Sequence, residues 1–161
     1  MNKTKRYSML ALLCALAIVI NLIENLFIPP LSFGIRFGLA NIISLITLKK
    51  MGFRDMCLIV LLRLTLGNLL KGTIFGTPFW ISSLGIILSS IVIVILDKFN
   101  SSILFTSMMS SIFHTLGQLI VVCFIYNQIN IIVILPMLII TSLATGAITG
   151  FISMEVIKRI N

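Results

Sequence analysis

Glu24, Arg63, Lys71 and His114 sit inside or at the rim of runs that are otherwise apolar. A charge at bilayer depth costs at least about 2.5 kcal/mol, so such residues face a protein interior and mark a binding site or a pathway. Their spacing groups them with other polar side chains. Asn21, Glu24 and Asn25 are three and four apart and share one side of a helix. Arg63, Gly67 and Lys71 recur every four residues with Asn68 beside them, and His114 and Gln118 repeat that interval. At 1.5 Å per residue, Arg63 lies about 12 Å beyond Asp55, and His114 and Gln118 lie about 18 and 24 Å beyond Ser102. If these faces converge they enclose a polar pocket, with Arg36 in a neighbouring loop placed to cover it.

Two arrangements would satisfy these groups. In one, Glu24 neutralises Arg63 or Lys71, while Asn21, His114 and Gln118 complete an internal hydrogen-bond network that fixes helix register. In the other, the groups bind a polar ligand. Arg36, Arg63 and Lys71 outnumber Glu24, so internal pairing leaves positive charge that an anionic or zwitterionic ligand would offset, and ligand binding is the favoured reading. The candidate binding set is Asn21, Glu24, Arg36, Asn41, Arg63, Asn68, Lys71, His114 and Gln118. Lys71, near the rim, could instead reach toward lipid head groups. A lone His with no Cys or second His beside it makes a poor metal site.

Bond-making chemistry finds little support. The two aspartates, Asp55 and Asp97, stand singly at the ends of apolar runs, so no aspartate-rich pair of motifs exists to hold metal ions on a diphosphate. Residues 67–73, Gly-Asn-Leu-Leu-Lys-Gly-Thr, lack the Gly-Lys-Ser/Thr ending of a phosphate loop. The chain is expected not to be an enzyme and to carry no cofactor or metal. Any ATP that drives it would be hydrolysed by a partner.

The elements that must position these residues follow from composition. With 59% hydrophobic and 10% charged residues, the chain lies far outside the range of soluble domains and reads as an integral membrane protein. A span takes about 20 apolar residues, so 161 residues hold about six helices and no separate soluble domain. Runs such as 86–96 do not alternate as barrel strands would, which makes the fold all-helical. A single bundle over 1–161 is expected, with spans near 8–27, 31–48, 55–70, 78–96, 103–126 and 131–157. The second is interrupted by Gly34, Arg36, Gly38 and Asn41, and should be an inward loop followed by a short helix. Pro29 and Pro30 should stop the first span.

Nine of the 12 Lys and Arg fall on one side of this arrangement, which the positive-inside rule makes cytoplasmic, with both termini inside. The net charge of +8 is then a topology signal together with attraction to anionic lipid, and nucleic-acid binding is not expected. The first apolar stretch resembles a secretion signal in outline, but it lacks a small-residue cleavage site and reads as a retained helix. Cys14, Cys57 and Cys123 lie singly in apolar runs and read as small core residues. On the first helix Ala11 and Ala15 are one turn apart, on the side opposite Glu24. Small residues four apart admit a close helix, which could belong to this chain or to a partner.

The segments Gly38-Leu-Ala-Asn41-Ile42, Leu61-Leu62-Arg63 leading to Gly67 and Gly72, and His114 with Gly117-Gln118-Leu119 resemble a family of small bacterial membrane proteins. This family is called heptaprenyl diphosphate synthase component I, or Gx transporters. Thr115 stands where that family has Asn. The family is similar to the substrate-capture (S) subunits of energy-coupling factor transporters, which are six-helix proteins. The resemblance implies an S-component-like bundle in the bacterial cytoplasmic membrane that takes up a small vitamin-like solute. It also implies, as partners, a shared transmembrane subunit and two ATPases, and an Ala-x-x-x-Ala contact for that subunit, matched by Ala11 and Ala15. The family name implies an alternative, a non-catalytic component in prenyl diphosphate and respiratory quinone synthesis, and the resemblance implies a third, a membrane subunit linked to quinone or flavin electron transfer.

Overall fold

The computed structural model describes residues 3–27 and 39–160, apart from the side chains of residues 25–27 and 160. Arg36, the 31–38 part of the second span, the Pro29–Pro30 stop and the side chain of Asn25 lie outside the described residues. Six α-helices follow in order: α1 (Lys3–Phe27), α2 (Asn41–Met51), α3 (Phe53–Leu70), α4 (Thr77–Lys98), α5 (Ile103–Tyr126) and α6 (Leu135–Ile160). Among the described residues there is no strand. α1, α4, α5 and the run ending in α6 are long and apolar enough to cross a membrane. The protein is therefore an all-helical membrane protein.

α2 is the short helix that the interrupted sequence predicts. Its 11 residues extend about 16 Å, roughly half the hydrocarbon thickness. It is separated from α3 by Gly52 alone, whose φ of 92° and ψ of 179° suit a residue without a Cβ. The sixth span departs from expectation. Instead of one helix over 131–157, a 3-10 turn at Ile129–Ile134 precedes α6. Pro136 explains the break: it has no N–H to donate to the preceding turn, so it is accommodated in the first turn of a new α-helix.

α5 packs most extensively, on α4 to one side and on α6 to the other, and both contacts are lined with small residues. A Cβ on Gly117 would lie 2.8 Å from the Leu84 carbonyl oxygen and 2.9 Å from Gly85 Cα. α4 and α5 thus meet backbone to backbone. Gly146 and Gly150 bring α6 equally close to Met108, Ser111, Leu104 and Ser107 of α5. Hydroxyl pairs close this seam, Ser107 with Thr149 at 2.8 Å and Thr115 with Ser142 at 2.6 Å. In lipid, where apolar burial against another helix gains little, such packing and hydrogen bonds hold helices together.

Ion pairs tie the helix ends that carry most of the basic residues. Arg6 of α1 donates twice to buried Asp55 of α3, at 2.6 and 3.0 Å, and Lys49 of α2 lies 2.5 Å from Asp97 of α4. Both aspartates therefore serve to clamp helices. The opposite end of the bundle, where α1 and α3 finish and α4 begins, is nearly free of charge among the described residues. Apolar cores fill the remaining interior, one from Leu10, Leu13, Ala17, Ile43 and Ile59, another from Leu45, Met56, Val60, Ile86 and Ile93.

Candidate functional site

The polar residues of four helices meet where α1, α3, α4 and α5 face one another. α1 supplies Asn21 and Glu24, α3 supplies Arg63, α5 supplies His114 and Gln118, and α4 adds Ser82 and Ile86, with Ala40 closing the wall beside α2. The i, i+4 register of α5 places His114 and Gln118 one above the other, and the Gln118 side-chain nitrogen lies 3.1 Å from His114 Nε2. The amide donates, so Nε2 accepts. Gly85 admits this pair to the interior: a Cβ there would lie 2.8 Å from both Gln118 Cγ and the His114 carbonyl oxygen.

Arg63 is only 2% exposed, as is Glu24. Its Nη2 donates to Asn41 Oδ1 at 3.1 Å, which places Asn41, the first residue of α2, directly behind the guanidinium. Glu24 is the acid whose charge acts on Arg63. Nε and Nη1 of Arg63 have no hydrogen-bond partner among the described residues. An unmade bond to a buried charged donor costs about 1–3 kcal/mol or more. The space left between the walls amounts to about 10 Å³ for a water-sized sphere. That is room for one water molecule.

The remaining candidates lie apart from this cavity. Lys71 caps α3 at the rim, half-buried, and its ammonium donates to Asn21 Oδ1. Asn68 is buried but is turned to the end of its own helix, where Nδ2 donates to the Leu64 carbonyl at 2.7 Å and Oδ1 accepts from Thr73 Oγ1 at 3.1 Å. The described walls carry one acid, Glu24, and one Lys or Arg, Arg63, with His114 beside them. The positive excess expected from sequence is not in the cavity itself, since Lys71 stands outside it and Arg36 lies outside the described residues. Thr115 has its own role, bonding Ser142 across the α5–α6 seam.

Ser82, Ile86 and Ala40 line the cavity without having been singled out from sequence. Nothing in the sequence marks Ser82, a serine in an apolar helix, until the helices packed around it are known. On the opposite side of α1, Ala11 and Ala15 are exposed and form the floor of an apolar groove between α1 and α3. Tyr7, Leu10, Cys14, Ile18, Leu58, Leu62 and Leu66 complete it.

No match to this chain is found among curated proteins or among solved structures. A family model does match, over residues 13–156, which takes in α2 to α5 whole, most of α1 and α6, and every polar residue of the cavity. The chain belongs to the family of heptaprenyl diphosphate synthase component I.

Proposed function

We propose that this chain is the membrane-embedded capture subunit of an energy-coupling factor type uptake system, binding a small zwitterionic or anionic solute in the cavity beside Arg63. The observation that carries this reading is a buried guanidinium, part of the wall of a polar cavity, with two donors that no described residue satisfies. A purely structural network would be expected to satisfy its own charge. Walls bearing Glu24 and Arg63 favour a ligand with both signs of charge, and entry of anything larger than water requires the helices to part. The chain itself is non-catalytic in this reading, and energy comes from partner ATPases in the bacterial cytoplasmic membrane.

Native mass spectrometry of the purified protein should find a retained small molecule. Arg63→Ala should weaken its binding by about tenfold or more, as expected for a charge-assisted hydrogen bond. Lys71→Ala should weaken it less, because that ammonium is at the rim and better screened. Equal affinities for wild type and Arg63→Ala would return the cluster to a structural role.

The exposed groove floored by Ala11 and Ala15 supports a helix of the energy-coupling subunit as its occupant. Ala11→Leu combined with Ala15→Leu should abolish co-purification with that subunit while the solute stays bound. Unchanged association would remove the groove from the interface. The family's name supports a second reading, a non-catalytic membrane component beside a soluble prenyl diphosphate synthase. Co-purification with such a synthase, and with no energy-coupling subunit, would favour it.

A further inference from the structure

We propose that the charge-poor end of the bundle is a hydrophobic cap immersed in the lipid interface. Two connections form it: the turn between α3 and α4, and the 3-10 segment between α5 and α6. The turn exposes Leu70, Ile74 and Phe75, and the 3-10 segment exposes Ile129, Ile132 and Val133. Phe75 is 72% exposed and Val133 81%, an unusual cost for loop tips standing in water.

Three further observations commit the cap to lipid. The first is position: the flanks of α4 and α5 next to these connections also expose large apolar side chains, including Trp80, Ile87, Ile120 and Phe124, although Asn127, Gln128 and Asn130 are exposed among them. The second is charge. No Asp, Glu, Lys or Arg occurs between Lys98 and Glu155, so the 3-10 segment has none, and the cation of the α3–α4 turn, Lys71, is held inward by Asn21. The basic end of the same bundle is built in the opposite way.

The third is that the α3–α4 turn pairs much of its own backbone, which lowers the cost of immersion in an apolar medium. The N–H groups of Gly72, Thr73 and Gly76 donate to the carbonyls of Leu69, Asn68 and Thr73 at 3.0, 2.9 and 3.1 Å. Asn68 secures the same turn through Thr73, which gives this buried amide a purpose away from the cavity. Gly72 and Phe75 both take left-handed backbone angles, φ 65° and 59°, to close the turn. For an aromatic residue that conformation is rare. It leaves the Phe75 ring exposed and tilted at 54° against Phe79, with centroids 5.5 Å apart, and Phe79 in turn meets Trp80 edge-on at 5.5 Å. Aromatic side chains gather at such membrane boundaries.

Trp80 is the sole tryptophan, so Trp80→Phe provides a dark background for one reporter at Phe75→Trp or Val133→Trp. In phosphatidylcholine vesicles brominated along the acyl chain, each reporter should lose most of its emission to the lipid and keep nearly all of it when iodide is added to the water. Replacing part of the lipid with phosphatidylglycerol should change neither result, because the one cation of the cap, half-buried Lys71, is held inward by Asn21. Native Trp80, measured first in the unaltered chain, should show the same pattern and guards against a variant that fails to fold. Iodide quenching without bromolipid quenching would put the tips in water and overturn the proposal. Shielding from both quenchers that is lost on dilution in the membrane would place a second copy over the cap, and would overturn it equally.

Discussion

Glu24→Gln is expected to cost about 3 kcal/mol of stability, as breaking a buried charge pair typically does. The substitution keeps the shape of the side chain but leaves Arg63 without the one acid that acts on it. Arg63 is 2% exposed and cannot shed its proton, so its charge has nowhere to go. Arg63→Met should cost a similar amount for the mirror-image reason, since it strands the Glu24 carboxylate. The double variant Glu24→Gln with Arg63→Met should recover much of the loss, because neither charge is then buried alone. Thermal unfolding of the four proteins in the same detergent measures this cycle. Simple additivity of the two losses would mean that the residues do not act as a pair.

Gly117→Val should be about as damaging, near 3 kcal/mol, for a reason of space alone. The new Cβ would meet the Leu84 carbonyl oxygen and Gly85 Cα at 2.8 and 2.9 Å, and these are backbone atoms that cannot swing aside. α4 and α5 would have to separate. Because Gly85 also packs on the His114 carbonyl and the Gln118 stem, the separation should reach the cavity and reduce solute retention as well as stability. Gly67→Ala is the contrasting control. Its Cβ would find only Asn21 Oδ1, at 3.9 Å, so removing a flexible residue from α3 should be neutral or gain up to about 1 kcal/mol. A Gly117→Val protein that unfolds like wild type would show that the two helices are not in direct backbone contact.

The contrast between Gly117 and Gly67 illustrates how much of this molecule was legible beforehand. Both are glycines in motifs at helical spacing, and nothing in their sequence context separates them. What distinguishes them is the neighbouring helix, a non-local contact. The same holds for Asn68. Its place beside Arg63 and Lys71 suggests a ligand contact, yet its Nδ2 donates to the Leu64 carbonyl one turn back and its Oδ1 accepts from Thr73 Oγ1, since a short amide side chain can bond to backbone and side chains nearby in sequence. Ser82 shows the converse. Its hydroxyl can always bond back to the preceding turn, here Pro78 at 2.8 Å, so a serine in an apolar helix signals little until its neighbours are known.

Solvent, element type and the identity of the costly residues were determined by the sequence alone. Those depend on local composition and on the energetic penalty of a charge among apolar residues, neither of which needs a partner to be computed. The short α2, foreshadowed by Gly38 and Asn41, belongs to the same class. Tertiary structure decided which polar groups share a cavity, and that Glu24 and Arg63 line it while Lys71 stays at the rim. It also decided that Asp55 and Asp97 are helix clamps, and that the space beside Arg63 has closed to about 10 Å³. These are matters of helix rotation and separation. In lipid they are set by glycine contacts and hydroxyl pairs between helices distant in sequence, where a fraction of an ångström distinguishes contact from clash.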